Sequence, residues 1–491
     1  MTKREQQMDE PLLIGIDLGT TNGKVACYDL RGQLLAEGTH AYPTQHPLPG
    51  WAEQDPADWM DALSEGLQEV AAQLGSRVVD VAGISLSNFG PGLVIVDQDG
   101  NPIAPCPTWQ DERCLSYGQK IFNDIGHDWI DLGSPSGFPS KLLWALQEQP
   151  ELMERAHRVE DVKSFLLGWL TGHAVTEPSS GPGAKDWWPH VFEYIGWPIE
   201  RLPQIIPSIE SPGGLLEDLA RRIGLKPGIP VFAGINDGAA ATLGSGVVRL
   251  GDSVVTLGTN GVARVLAAER MNSDAILAHY LFSRPFDDQL WLCGGFTRSG
   301  ASSLQWLADL LSVPRDPEAY DALLAEAANV PPGSKGVIFL PYLSGRGTPK
   351  PDPNARAGFV NLSLEHSRAE LTRAVLEGIA YAIREIFDLF TNLGLHIGPL
   401  RLTGGGARSI LWRQIMVDVL NRPATLAGGD STLGDAMLAA VGLGLYPDFE
   451  AAADAMVKLF AHDEPDPKAV ASYKRLYRNF AEIRNRDAST V

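Results

Sequence analysis

The sequence predicts an α/β chain with a duplicated architecture. Two observations carry that reading: β-type and helical segments alternate along the N-terminal stretch, and a glycine-threonine hairpin that opens the chain returns near its middle. The first strand, Leu12-Leu13-Ile14-Gly15-Ile16, runs into Asp17-Leu18-Gly19-Thr20-Thr21-Asn22-Gly23. Lys24-Val25-Ala26-Cys27-Tyr28 then resumes an extended pattern, so the glycine-rich turn reads as a hairpin. A turn at Asp29-Leu30-Arg31-Gly32 leads to a third antiparallel strand over 33–37. Helical spacing over about 58–74, followed by apolar runs at 81–86 and 93–96, extends this into a mixed sheet with helices. The segment Ser253-Val-Val-Thr-Leu-Gly-Thr-Asn-Gly-Val262 repeats the opening hairpin, which places the boundary between the two halves at 247–252. In the second half, Ser367-Arg-Ala-Glu370 is a capping box opening a helix to about residue 391, with Leu371, Val375, Ile379, Ile383, Ile386 and Phe390 at helical spacing. Residues 1–10 read as a disordered lead, and roughly the last thirty as a surface helix with a frayed tail.

At 491 residues the chain is long enough for two large domains or three small ones. Cys27, Cys106, Cys114 and Cys293 form neither a CxxC pair nor a zinc spacing, which argues against a disulfide framework or structural metal and points to a reducing cytoplasm. No apolar run approaches the ~18 residues of a membrane span, and the opening MTKREQQMDE is charged where a signal peptide is apolar. With 60 acidic against 40 basic side chains the net charge is −20, which opposes binding to nucleic acid or anionic membrane. Any phosphate must therefore be held locally, by backbone N–H groups, a few side chains and a metal ion.

The first hairpin has the parts for this. Gly19 and Gly23 allow close backbone approach, Thr20 and Thr21 add hydroxyls, Lys24 adds a compact charge, and Asp17 at the strand end suits a hydrated Mg²⁺. The same residues also suit an ordinary turn. The second hairpin offers backbone donors and the Thr259 hydroxyl, without the carboxylate or the lysine. A third cluster, Thr403-Gly404-Gly405-Gly406-Ala407, follows a strand and opens a helix, as a glycine turn against an adenine ring or phosphate does. No GxxxxGK[ST] occurs, and no Rossmann acidic partner follows the glycine turn. Asn236-Asp237-Gly238 before three alanines reads as a helix N-terminus with Asp237 as its cap; beside a pair of phosphate-gripping hairpins, that carboxylate could equally accept the proton of an attacking hydroxyl.

In this order the residues resemble the FGGY carbohydrate kinases, the sugar and polyol kinases that include xylulokinase, gluconate kinase and glycerol kinase. The resemblance spans about residues 12–445 and rests on Gly15-Ile-Asp-Leu-Gly-Thr-Thr21, Gly50-Trp-Ala-Glu-Gln-Asp-Pro56, Trp109-Gln-Asp-Glu-Arg113, Lys141-Leu-Leu-Trp144, Gly234-Ile-Asn-Asp-Gly238, Leu257-Gly-Thr-Asn260, Arg373-Ala-Val-Leu-Glu-Gly378 and Gly404-Gly-Gly-Ala-Arg-Ser-Ile-Leu-Trp412. It implies a duplicated actin-like, ribonuclease-H-like ATPase fold of two domains around a central cleft: a sugar-binding N-terminal domain over 11–248, a nucleotide-binding domain over 249–445, and C-terminal helices and tail over 446–491. It implies ATP and Mg²⁺ as cofactors, with Asp17 organising the metal, and Thr20, Thr21 and Lys24 at the transferring phosphoryl group. Gly258 and Thr259 look like the second phosphate loop, and Gly404, Gly405 and Gly406 like the adenosine-side loop. Asp237 matches the catalytic base.

The acceptor is less clearly written. Ser85-Leu-Ser-Asn-Phe-Gly-Pro-Gly92 carries neither the Gln-Met-His-Gly run usual in xylulokinases nor the Asn-Gln-Arg-Glu run of glycerol kinases. Asn88, Phe89, Trp109 and Asp111 are the candidate substrate contacts, Trp109 offering an indole face to C–H groups and Asp111 accepting from hydroxyls. Trp187, Trp188 and Trp197 could cover the site or pack a surface helix. The leading expectation is a kinase for a pentulose such as xylulose, with a sugar acid or polyol (gluconate, erythritol, glycerol) as the alternative acceptor. The expected partner is that small molecule, with homodimer assembly as the family allows. An actin- or chaperone-like nucleotide switch is the competing class; GWAEQDP and WQDER count against it, since a pure switch needs no polar sugar pocket.

Overall fold

The computed structural model describes residues 10–127, 136–180, 188–287 and 289–487. Most of the expected lead (1–9), Trp187 and the last four residues lie outside them. In chain order the elements used below are β1 (Leu12–Leu18), β2 (Asn22–Tyr28), β3 (Leu34–Ala41), α1 (Pro56–Leu74), β4 (Val81–Asn88), α2 (Val162–Thr171), β5 (Gly213–Gly214), β6 (Pro230–Asn236) and α3 (Asp237–Gly244). They continue with β7 (Ser253–Leu257), β8 (Gly261–Ala267), β9 (Phe282–Pro285), β10 (Trp291–Thr297), α4 (Arg368–Asn392), β11 (Leu400–Thr403), α5 (Ile410–Leu420), β12 (Ala424–Ala427), α6 (Ser431–Gly442), β13 (Leu459–Asp463) and α7 (Pro467–Asp487).

The chain forms two compact units. The first takes the chain through Val248, then Arg284–Trp291 and Gly429–Lys458; the second takes Arg249–Ser283, Leu292–Gly428 and the chain from Leu459. In the first, a six-stranded sheet runs β5-β6-β4-β1-β2-β3. β1, β2 and β3 form an antiparallel meander, while β4 and β6 extend the sheet parallel to β1. In the second unit a seven-stranded sheet runs β9-β10-β8-β7-β11-β12-β13, with β7 and β8 antiparallel and β7, β11 and β12 parallel. The two sheets therefore share one plan, a hairpin whose first strand continues into parallel neighbours, and the expected duplicated α/β fold is observed.

The core of the first unit is built from β1, β4 and β6, whose Leu12, Ile14, Ile16, Ile84, Leu86 and Val231 are fully buried, with the apolar face of α1 against them. Pro56 in the first turn of α1 and the Asp55 cap, accepting from Ala57 N–H, fix where that helix starts. α6 packs on β1 so closely that a Cβ at Gly15 would fall 1.9 Å from the Thr432 carbonyl. Only glycine permits that approach, and it brings the first turn of α6 to the end of β1. In the second unit α4 carries both halves of the expected capping box, Ser367 and Glu370, and buries Val375, Ile379, Ile383, Ile386 and Phe390. Among the described residues no helix is long and apolar enough to cross a membrane.

Candidate active site

In the first unit the chemistry gathers at the C-terminal ends of the parallel strands β1, β4 and β6, the edge at which open α/β sheets bind ligands. β1 delivers Asp17, opposite Lys24 of β2 on one side and Ser87 of β4 on the other. β6 delivers Asn236 and, one residue on, Asp237. The sequence suggested Asp237 as the helix cap; the cap is instead Asn236, whose side chain accepts from Ala239 N–H at 3.1 Å. Asp237 is the first helical residue, and its Oδ1 accepts from Gly238 N–H at 2.6 Å and from the Asn236 amide at 3.1 Å. Relieved of the cap, it carries its carboxylate on a helix N-terminus that favours negative charge.

Asp17 Oδ2 accepts from Ser431 Oγ at 2.5 Å, and Oδ1 lies 3.2 Å from Ser87 Oγ. Burial, then the Asp237 and Asp430 carboxylates, push its pKa up to about 6 against the pull of those two hydroxyls. Ser87 also donates to Asp435 Oδ2 at 2.8 Å, and burial raises the pKa of that fully buried carboxyl well above its ordinary value. Lys24 Nζ donates to Asp430 Oδ2 at 2.8 Å and lies 3.5 Å from Glu37. Burial opposes its charge, but Asp430 and Glu37 outweigh burial and raise its pKa. Asp430 is the N-cap of α6, accepting from Leu433 N–H. Ser87, Asp430, Ser431 and Asp435 were not singled out in the sequence. The signal was present in Gly428-Gly429-Asp430-Ser431-Thr432, a glycine turn with a capping carboxylate before an apolar helix.

The Thr20 hydroxyl accepts from Trp109 Nε1 at 3.0 Å, and the Thr20 carbonyl from Gln54 at 2.7 Å. Thr21 is exposed at the hairpin tip, which Gly19 N–H closes onto the Asn22 carbonyl at 3.0 Å. In the second unit, β7 and β11 run parallel and pair Thr256 with Thr403, so the turns after them leave the sheet side by side. Gly258 N–H bonds the Asn260 carbonyl at 3.1 Å, and the Thr259 carbonyl accepts from Gly300 N–H at 2.8 Å, leaving Thr259 exposed. Gly404 sits at φ 87°, where a Cβ would meet the Leu257 carbonyl at 2.7 Å. At Gly405 a Cβ would have no neighbour within 4 Å, while Gly406 abuts Trp412.

Residues 12–244 match the N-terminal domain of the FGGY family of carbohydrate kinases, and residues 253–443 match its C-terminal domain. The chain belongs to the FGGY carbohydrate kinases. It is 30% identical to a xylulose kinase of Lactococcus lactis subsp. lactis, covering 96% of each chain, and 26% identical to a gluconokinase of Bacillus subtilis, covering 96% of this chain and 95% of that one. The crystal structure of a gluconate kinase from Lactobacillus acidophilus superposes with a TM-score of 0.87 at 26% identity, covering 98% of this chain and 99% of that one. The protein is thus an ATP-dependent sugar kinase of two-domain α/β fold.

Within this FGGY kinase the four expected substrate contacts lie in unequal surroundings. Phe89 is 1% exposed and packs edge-on against Trp59 at 5.6 Å, as a core residue does. Asp111 is 0% exposed. It accepts from Ala52 N–H at 2.7 Å and from Arg113 Nε at 2.8 Å, and Arg113 is further held by Glu53 at 2.6 Å and stacked on Trp51. Asp111 therefore ties the WQDER turn to the GWAEQDP strand. Asp111→Ala is expected to leave the Ala52 amide without its acceptor and Arg113 with Glu53 as its one carboxylate, destabilising the fold by about 2–4 kcal/mol, read as a lowered midpoint in urea unfolding. Asn88 is buried too, its amide donating to the Phe89 carbonyl at 2.7 Å, but its Oδ1 lacks a hydrogen-bond partner. Trp109 is 45% exposed and presents an open indole face beside Thr20. Trp197 is buried beneath the Arg201 guanidinium, 4.2 Å away, as surface packing requires, and Trp188 precedes the short helix Pro189–Ile195.

Proposed function

We propose that this kinase phosphorylates a hydroxyl of a neutral five-carbon ketose, xylulose first among them, with Asp237 as the general base. The observation that carries the reading is the meeting of Asp237 and Asp17 at one strand edge, close enough for each carboxylate to feel the other's charge. Asp237 takes the proton of the acceptor hydroxyl as that oxygen bonds to the γ-phosphorus, the base role that phosphoryl transfer uses. Thr20 and Thr21 on the hairpin tip orient the transferring group. Gly258 and Thr259, with Gly404, Gly405 and Gly406, supply the nucleotide's phosphate and adenosine loops. Trp109 and the orphaned Asn88 Oδ1 are the acceptor contacts the site retains.

The residues present fit Mg²⁺. Among the described residues no cluster of three or more His, Cys, Asp or Glu side chains is arranged to hold a metal, and Mg²⁺ characteristically takes one or two carboxylates plus phosphate oxygens and water. Asp17, crowded by Asp237 and Asp430, is the carboxylate a cation would relieve. When bound, the ion neutralises charge building on the phosphate oxygens.

A neutral acceptor is favoured by the charge inventory. Asp17, Asp237, Asp430 and Asp435 crowd this edge, while Lys24 is engaged by Asp430 and Lys163 is buried on backbone carbonyls. A sugar acid would meet carboxylates without an uncommitted cation among these residues. The similarity to the Lactococcus lactis xylulose kinase points the same way. The test is sugar-dependent ADP release over a panel of ketopentoses, aldonates, tetritols and glycerol. Xylulose is expected to give the highest kcat/KM, by roughly tenfold or more over gluconate; a higher value for an aldonate or polyol overturns the assignment of acceptor, and no stimulation by any member overturns the kinase reading of the site.

A further inference from the structure

The strand that carries Asp237 does not run smoothly into it. Along β6 and β4, Phe232 pairs with Ser85 but Ile235 pairs with Ser87, so β6 holds one extra residue there. Gly234 takes up the bulge at φ 74°, where a Cβ would lie 1.8 Å from the Leu86 carbonyl. A bulge re-aims the residues beyond it and leaves ladder groups without their usual partners. Here they are met from outside the sheet. Lys163 of α2, fully buried, donates its ammonium to the Leu86 and Ile235 carbonyls, the latter at 3.1 Å. On the other face of the same peptide unit, Asn236 N–H donates to Ser179 Oγ at 2.9 Å. Ser179 in turn donates to Glu177 Oε1 at 2.9 Å, and its own N–H bonds Glu177 Oε2 at 2.7 Å. Glu177 is fully buried and is the largest charge acting in favour of the Lys163 ammonium. The 235–236 peptide is thus held by its carbonyl and its N–H at once, by Lys163 on one side and by Ser179 seated on Glu177 on the other.

We propose that Lys163, Glu177 and Ser179 form a clamp on the peptide preceding Asn236-Asp237 and are positioning residues for the base. The inference rests on Asp237 being that base. Buried charges such as Lys163 and Glu177 are a weak source of net stability, because the cost of taking them out of water offsets what they gain from their partners. Its contribution here is orientation: the peptide plane sets the direction of the Asn236 cap and of the first turn of α3, and an ångström of misplacement at a reacting group costs on the order of 10²-fold in rate.

The test is a double-mutant cycle on the full chain, with Ser179→Ala as the clamp variant and Asp237→Asn as the base variant. In the wild-type background Ser179→Ala is expected to lower kcat by roughly tenfold or more, with the KM values for ATP and acceptor within about twofold. In the Asp237→Asn background the same substitution should change kcat by less than about twofold, since a residue that acts through the base has nothing left to aim. An equal loss in both backgrounds, a shift in KM instead of kcat, or an unchanged wild-type kcat overturns the clamp. If Asp237→Asn alone keeps wild-type turnover, the base assignment falls first and the clamp with it. Should Ser179→Ala not fold, Lys163→Met and Glu177→Gln run through the same cycle, and the same outcomes support or overturn the clamp.

Discussion

Asp237→Asn is expected to fold, bind ATP within about twofold of the wild type, and lose roughly 10²–10⁴-fold in kcat for sugar phosphorylation, the range a positioned general base supplies. The structural side is nearly silent: an asparagine oxygen still accepts from Gly238 N–H, and Asn236 still caps α3. What changes is the capacity to accept a proton. Asp237→Glu separates charge from position. It keeps the carboxylate and moves it out by one methylene, and a loss of about 10²-fold is expected from displacement alone. Measured by coupled ADP release with and without acceptor, full retention of turnover in the asparagine variant removes Asp237 from the mechanism, whereas full retention in the glutamate variant alone would show that its position is loosely specified.

The parts of this site that were legible in the sequence are those made by local pattern. A β-type run ending in Asp-Leu-Gly-Thr-Thr writes its own hairpin, because glycine and threonine placement is a property of a few adjacent residues, and Leu12–Leu18 and Asn22–Tyr28 pair as that pattern requires. The capping box of α4 is equally local. The parts that were not legible depend on returns of the chain. The glycine turn and cap over 428–432 mark the start of a helix but not that Ser431 will bond Asp17, because that contact is made by α6 lying on β1, and the permission for it is a glycine at position 15. The burial of Asp111 and Phe89 was hidden for the same reason. A carboxylate and an aromatic in a loop look available in one dimension, and only packing shows that Arg113 and Trp59 have already taken them. The buried Lys163 sits in an apolar stretch, Val162-Lys-Ser-Phe-Leu-Leu167, where a charge ought to be excluded unless a partner meets it. That exception is the kind of local inconsistency that marks a working residue.

Asp17→Asn should make the protein both inactive and more stable. With burial and the Asp237 and Asp430 carboxylates raising the Asp17 pKa from an ordinary 3.8 to about 6, the folded state holds this proton more tightly than the unfolded chain does. Between those two values the folded state binds more protons, so stability from this group is greatest below about pH 3.8 and falls as pH rises through 6. Above that, keeping Asp17 ionised costs about 1–3 kcal/mol, the lower figure allowing for the solvent contact it retains. Asparagine keeps one oxygen to accept from the Ser431 hydroxyl and turns its amide N–H toward Ser87 Oγ, whose own proton goes to Asp435, so both contacts survive without the charge. In buffer free of nucleotide and divalent cations at about pH 7.5, the variant should melt roughly 2–6 °C above the wild type, and the two curves should converge near about pH 4. Turnover should fall by at least about 10²-fold, as expected when the carboxylate proposed to hold the cation at the phosphates is lost. A variant less stable than the wild type under those conditions would mean that the carboxylates are not in strain and that the Ser431 and Ser87 hydroxyls outweigh their repulsion. The expected opposite result supports the proposed role of Asp17: a carboxylate held against its neighbours in the free enzyme by the packing of α6 on β1, whose repulsion a bound cation would relieve.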